Sequence, residues 1–166
     1  MGRRTRQLAL MLLIAPLAGC AGHALQPAPA PRLVVPPPPP SPPPHQRVVD
    51  TARSMLGVPY RYGGSTPRGF DCSGLVIYSY AKAGRPGLPH SARVLARVAV
   101  PVPLHELQPG DLLFFDLRKR EHVGIYVGDR HFVHAPSRGK RVERVSFDDR
   151  FWGPRIRKAG RIQLSS

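Results

Sequence analysis

Apolar residues recur at helical spacing in the middle of this chain and at strand spacing towards its end. The first helical series predicts a helix that ends at Gly57. Asp71 is placed to cap a second helix, which closes at Gly84, and Ser91 is placed to cap a short third helix. The first series consists of Val48, Val49, Ala52, Met55 and Leu56.

The last third of the chain has the alternation of strands, in which every second side chain shares a face. By that alternation His122 shares a face with Tyr126, while Val123 points into the core. His134 likewise shares a face with Phe132. The predicted strands are residues 111–116, 122–127, 131–134, 142–145 and 155–162. Helices followed by an antiparallel sheet predict a domain of the α+β class.

The first 19 residues have the composition of an export signal. Three arginines precede an apolar run from Leu8 to Leu17, and about ten such residues are too few to span a bilayer, which needs about 20. The end of the run, Leu17-Ala18-Gly19-Cys20, resembles a bacterial lipobox. It predicts a lipoprotein signal peptide, cleavage before Cys20 and a lipid on Cys20, with an ordinary cleaved signal as the alternative. Ala21 then favours the periplasmic face of the outer membrane.

Residues 20–45 form a linker rich in proline, with 11 prolines among the 18 residues 27–44. Such a segment cannot pack and favours an extended polyproline II spacer. A proline-rich ligand for a partner domain is the rival interpretation. The globular pattern begins at Gln46, so residues 46–166 are predicted to form a single domain and to act as a monomer.

The chain is strongly basic, with a formal net charge of +15. Such a charge favours polyanions as partners, and nucleic acid is the usual one for a cytoplasmic protein. Export argues against nucleic acid and favours an anionic membrane surface or a carboxylate-rich cell wall. A basic surface without a specific partner stays open as an alternative.

The chain has two cysteines, and a lipid on Cys20 would leave Cys72 as an unpaired thiol in an oxidising compartment. Cys72 directly follows Asp71 at the predicted start of the second helix, where a thiol pKa is usually lowered. We therefore predict that Cys72 is a nucleophile, that His122 accepts its proton within a thiolate–imidazolium pair, and that His134 orients His122.

Five segments, in order, resemble the NlpC/P60 family of cell-wall cysteine peptidases, with outer-membrane lipoprotein murein endopeptidases as the most similar group. The resemblance implies a papain-like fold with the nucleophile at a helix N-terminus, packed against an antiparallel sheet that carries both histidines. It implies no metal and no cofactor. It also implies that Tyr60 assists at the oxyanion and that Asp71 and Ser73 bind substrate. The segments are residues 57–64, 69–75, 109–112, 122–128 and 132–135.

The predicted function is hydrolysis of amide bonds in peptidoglycan peptides. The D-alanyl–diaminopimelate crosslink is favoured over the γ-D-glutamyl–diaminopimelate bond of the stem. One alternative is an inactive lipoprotein that tethers membrane to wall, and another is a zinc site made by Cys72, His122 and His134. Trp152 is predicted at the edge of the core, with carbohydrate stacking as its alternative. His90 stands where many relatives have a basic residue.

Overall fold

The computed structural model describes residues 42–118 and 120–164. The predicted signal peptide, Cys20 and most of the proline-rich linker lie outside the described residues. Within them the chain forms three α-helices, eight strands and two short 3₁₀ turns. The helices are α1 (Pro44–Ser54), α2 (Cys72–Lys82) and α3 (Ala92–Val98). The strands are β1 (Ser65–Thr66), β2 (Gly69–Phe70), β3 (Val100–Val102), β4 (Leu112–Asp116), β5 (Glu121–Gly128), β6 (His131–His134), β7 (Glu143–Ser146) and β8 (Ile156–Arg161).

The three predicted helices are confirmed, and each begins at a residue suited to that position. Pro44 opens α1, where the missing N–H costs nothing because the first amides of a helix have no partner. The Asp71 side chain caps α2 and the Ser91 side chain caps α3. None of the helices in the described part is long and apolar enough to cross a membrane.

Six of the strands form one antiparallel sheet in the order β3-β8-β4-β5-β6-β7, and β1 and β2 form a separate hairpin. Helices α1 and α2 pack on one face, where Val123, Ile125 and Val127 of β5 join the main core. A smaller apolar cluster around Phe115, Phe132 and Trp152 covers the opposite face. The predicted α+β class, helices on an antiparallel sheet, is confirmed.

Two features of the chain between the predicted elements were not foreseen. Strand β3 pairs with β8 at the edge of the sheet although Pro101 lies at its centre. An edge strand tolerates proline, because one side of the strand needs no N–H donor. The loop after α1 contains the hairpin β1–β2, whose two-residue strands are too short to show a period.

Candidate active site

Asp71 organises the turn that starts α2. Its Oδ1 accepts hydrogen bonds from the Gly74 N–H at 2.6 Å and from the Ser73 hydroxyl at 3.1 Å, and its Oδ2 accepts one from the Gly63 N–H at 2.9 Å. Cys72 therefore occupies the first helical position, beside amides that have no partner within the helix. The predicted placement of Cys72 at a helix N-terminus agrees with this geometry.

The loop before α2 lies directly against its first turn. The carbonyl of Gly64 accepts a hydrogen bond from the Asp71 N–H at 2.9 Å. A Cβ atom on Gly74 would lie 1.8 Å from the Gly64 oxygen, and one on Gly64 would lie 2.4 Å from the Gly69 oxygen. Only glycine permits these approaches, and they fix the path of the loop that carries Tyr60 to the same site.

His122 and His134 form a buried pair on neighbouring strands. Nε2 of His122 lies 2.7 Å from Nδ1 of His134, and the two rings are nearly perpendicular, at 86°. His122 is 4% exposed and His134 is fully buried. Because Nε2 of His122 is engaged, Nδ1 is the nitrogen that remains for proton exchange with another group.

Trp152 packs against both histidines from the loop before β8. Its ring centroid lies 4.9 Å from that of His122 and 4.3 Å from that of His134. Phe115 contacts Trp152 edge-on and completes an aromatic wall around the pair. This wall keeps water from one side of both imidazoles. The sequence placed Trp152 only at the edge of the core, since no local pattern shows which buried ring a loop residue will touch.

Glu143 lies beside the far side of the histidine pair. In the β6–β7 register it is directly opposite His134, and its Oε1 is 3.3 Å from Nε2 of that histidine. The alignment falls short of a hydrogen bond, so this buried nitrogen has no hydrogen-bond partner within the described part of the chain. Glu143 is not among the site residues predicted from the sequence. Pairing the predicted strands 131–134 and 142–145 as a hairpin would have placed it near His134.

A cavity of about 1260 Å³ brings the other predicted residues together. Its lining includes Tyr60, Asp71, Cys72, Ser73 and His122, with Trp152 at its wall. His134 lies behind His122, out of the cavity. The structure therefore gathers six of the seven residues singled out for this site or for lipid attachment, and the seventh, Cys20, lies outside the described residues.

Burial dominates the protonation of Cys72 and His122. It raises the pKa of the Cys72 thiol to about 11, and hydrogen bonds from backbone N–H groups, that of Val123 first, oppose this only in part. Burial also lowers the pKa of His122 to about 4. The predicted lowering of the thiol pKa, and with it the resting thiolate–imidazolium pair, is therefore wrong, because desolvation outweighs the helix N-terminus. At neutral pH both groups are uncharged.

The same burial keeps two further groups neutral. It lowers the pKa of His134, and the neighbouring His122 lowers it further. It raises the pKa of the Tyr60 phenol, with a smaller contribution in the same direction from Cys72. Tyr60 therefore keeps its proton and offers an O–H donor to a group bound in the cavity.

His90 makes a contact that the sequence did not suggest. Its Nε2 lies 2.9 Å from Oδ1 of Asp71, the carboxylate that also caps α2. Ser73, the other predicted substrate residue, is 5% exposed and directs its hydroxyl to the same carboxylate. Asp71 and Ser73 thus have structural partners, while both also line the cavity.

The zinc alternative has no geometric support. The two histidines direct facing nitrogens at one another at 2.7 Å, which leaves no room for an ion between them. Over residues 42–118 and 120–164, no group of three or more histidine, cysteine, aspartate or glutamate side chains is arranged to hold a metal ion.

The comparisons with known proteins all point to the same family. The profile of the NlpC/P60 family matches residues 57–161. The probable endopeptidase NlpC of Escherichia coli is 37% identical over 149 residues, which cover 88% of this chain and 92% of that protein. The murein DD-endopeptidase MepH of the same species is 42% identical over 103 residues, 58% of this chain and 38% of that protein.

A solved structure resembles the same domain. The NlpC/p60 domain of the peptidoglycan hydrolase SagA superposes with a TM-score of 0.62 at 28% identity, covering 71% of this chain and 98% of that one. Three mycobacterial relatives are 46% identical over 101 residues, and the chain spans only 26% of their length.

Proposed function

This chain belongs to the NlpC/P60 family, and we propose that it is a cysteine peptidase that hydrolyses amide bonds in the peptides of peptidoglycan. The observation that carries the proposal is that Cys72, at the start of α2, and His122 line the same cavity. His122 is the outer member of a hydrogen-bonded histidine pair. The names of the relatives, which include a murein endopeptidase and a peptidoglycan hydrolase, support the same substrate.

The neutral resting pair requires that the proton moves as the thiol attacks. Nδ1 of His122 takes the proton from Cys72 while the sulfur bonds to the acyl carbon, and the same proton then passes to the departing amine as the C–N bond breaks. A thioester on Cys72 remains. A water molecule deprotonated by His122 hydrolyses it, which releases the acid and restores the thiol.

The negative oxygen that forms during both steps needs donors. The free amides at the start of α2 point towards the cavity end of the helix, where the helix dipole also favours negative charge. The Tyr60 hydroxyl, which stays protonated, is a second donor on the cavity lining. We assign Tyr60 this auxiliary role and keep substrate contact as the role of Asp71 and Ser73.

The tautomer of the histidine pair follows from Glu143. A carboxylate 3.3 Å from Nε2 of His134 favours a proton on that nitrogen, which makes Nδ1 of His134 an acceptor. His122 must then donate from Nε2, so its Nδ1 carries the lone pair that the thiol proton requires. In this proposal His134 and Glu143 position His122 and do not touch the substrate.

For the bond cleaved, we propose the D-alanyl–diaminopimelate crosslink over the γ-D-glutamyl–diaminopimelate bond, supported by the likeness to a murein DD-endopeptidase. Mass spectrometry of the products from purified, crosslinked muropeptides tests this. Cleavage of the crosslink gives two monomers with intact stems, whereas cleavage of the stem bond shortens the stem. Products should form with the full chain and not with Cys72→Ala. Equal product from both proteins, or none from either, contradicts the proposed activity.

We also propose that a lipid on Cys20 anchors the chain to the periplasmic face of the outer membrane, on the strength of the lipobox-like segment and the proline-rich spacer after it. Expression of Cys20→Ser in a Gram-negative host tests the anchor. The wild-type chain should incorporate labelled fatty acid and fractionate with outer membrane, and the variant should do neither. Fractionation of both forms with soluble periplasmic protein would contradict it.

A further inference from the structure

The cavity that holds Cys72 has a basic lining. Four of its described lining residues are arginines and two carry carboxylates. Both carboxylates already have basic neighbours, since Asp71 contacts His90 at 2.9 Å and Glu121 contacts Arg93 at 3.0 Å. The excess positive charge therefore remains available to a bound molecule. We call these four residues the arginine rim: Arg118, Arg120, Arg138 and Arg155.

The guanidinium groups of the arginine rim have few partners among the described residues. In the described ranges Arg118 and Arg120 take part in hydrogen bonds only through their backbone groups. Their guanidinium groups, and that of Arg138, have no hydrogen-bond or ion-pair partner among the described residues. Arg155 stacks on the ring of Phe151 at 4.0 Å and donates to its carbonyl. A guanidinium carries five donors in a planar fork that matches a carboxylate. Unpaired forks on a cavity lining favour carboxylate ligands.

The rim also reaches the reacting groups. Arg120 lies two residues before His122 on the segment that leads into β5. It is close enough to Tyr60 for its charge to oppose the rise in the pKa of that phenol. Arg138 approaches from the β6–β7 connection, and Arg155 from the turn before β8. Cationic groups thus converge on one cavity from three separate segments.

We propose that the arginine rim is a carboxylate-binding subsite, and that it selects peptides whose carboxylates near the scissile bond are free over peptides in which they are amidated. This rests on the proposed function and names the chemical class of its substrate. The high net charge of the chain draws polyanions in general, but only side chains on the cavity lining distinguish a carboxylate from the uncharged amide of the same shape.

The test compares two stem peptides that are identical except that one carries a free carboxylate where the other carries a carboxamide. For the full chain we expect kcat/KM to favour the free acid by about tenfold or more, mainly through KM, because a hydrogen bond to a charged group is stronger than one to a neutral amide. Arg120→Gln and Arg138→Gln should weaken this preference, because each should lower kcat/KM for the free acid more than for the amide. Arg85→Gln is the matched control, since Arg85 is exposed beyond the C-terminal end of α2, opposite to Cys72.

Binding separates this inference from the proposed activity. The affinity of Cys72→Ala for both peptides, measured by calorimetry, needs no turnover. Tighter binding of the free acid by about tenfold supports the subsite even if neither peptide is hydrolysed, in which case only the proposed activity fails. Equal affinity for acid and amide, absence of binding, or the same loss in Arg85→Gln as in Arg120→Gln overturns the subsite.

Discussion

The chemistry of single residues in this site is controlled by burial. Cys72 at the start of a helix would normally ionise easily, yet desolvation raises its pKa to about 11 and lowers that of His122 to about 4. Two neutral groups thus replace the ion pair expected from the helix N-terminus alone. In this neutral state the thiol is a weak nucleophile, because the thiolate is the reactive form.

This protonation state predicts the pH dependence of the reaction. The lowered pKa of His122 means that the neutral base persists until the pH falls to about 4, so kcat/KM should stay level across neutral pH and fall as the pH approaches 4. The raised thiol pKa predicts that the ultraviolet difference spectrum between the wild-type chain and Cys72→Ser shows no thiolate absorbance at neutral pH. A thiolate signal that titrates below about pH 8 would contradict a neutral pair.

Glu143 offers a second test at the same scale. Glu143→Leu removes the carboxylate beside His134, so His122 loses its preferred tautomer and kcat should fall about tenfold with little change in KM. Glu143→Gln keeps an acceptor oxygen and should recover much of the loss. Arg144→Leu, the next residue on the same strand, points to the other face and serves as control. Equal kcat in Glu143→Leu and Arg144→Leu would exclude a positioning role.

Among the elements, the first turn of α2 and the loop packed on it determine where Cys72 lies. The Gly64 carbonyl approaches Gly74 so closely that position 74 has no space for a side chain, and position 64 has none because the Gly69 oxygen lies against it. Asp71 joins the two segments, because its carboxylate binds the Gly63 N–H in the loop and the Gly74 N–H in the helix. The loop and the helix therefore form one unit.

Gly74→Ala should disrupt this unit. Alanine favours a helix by up to about 1 kcal/mol over glycine, but the new Cβ would lie 1.8 Å from a backbone oxygen that cannot move freely. We expect a net loss of about 1–3 kcal/mol in the free energy of unfolding, measured by denaturant titration, together with loss of hydrolysis. Lys82→Ala, at the exposed end of the same helix, should change neither. Wild-type stability in Gly74→Ala would refute the close-packing argument.

Most of the elements could be predicted from the sequence, because a long amphipathic series carries its own period. The helices and five strands of the sheet follow from that signal. Strand β3 could not, since it contains three residues with Pro101 at the centre, and its only cause is pairing with β8. The hairpin β1–β2 likewise depends on contacts with the rest of the loop.

The site was predicted unevenly for a similar reason. Cys72, His122 and His134 stand in short motifs, so their residue types and strand parity already suggest a common site. The packing of Trp152 on two imidazoles and the contact of His90 with Asp71 involve residues distant in sequence. The thiol pKa failed as a prediction because a helix N-terminus is a local property, whereas desolvation depends on the whole fold.

At the scale of the whole molecule, the buried histidine pair links stability to pH. His122 and His134 are neutral in the folded state and have ordinary pKa values near 6.5 once unfolded. Between about pH 6.5 and 4 the unfolded chain therefore binds more protons than the folded one, and stability falls as the pH falls. The protonation of the candidate site and the stability of the fold are coupled through these two groups.

Denaturant titration at pH 7 and pH 5 measures this coupling. Each buried histidine should lower the free energy of unfolding by about 1–2 kcal/mol between the two conditions, since one proton corresponds to about 1.4 kcal/mol per pH unit. His134→Gln should reduce the difference by about half. His105→Gln, at a side chain that is 81% exposed, is the control and should leave it unchanged. An equal difference in all three proteins would contradict the linkage.

The most direct test of the central claim is a set of hydrolysis rates on crosslinked muropeptides for the wild-type chain, Cys72→Ala, His122→Ala and the double variant. If the sulfur and the imidazole act as one unit, each single substitution should lower the rate at least about 10³-fold and the double substitution should lower it no further. A rate for Cys72→Ala within about tenfold of wild type, or losses that multiply in the double variant, would contradict the account.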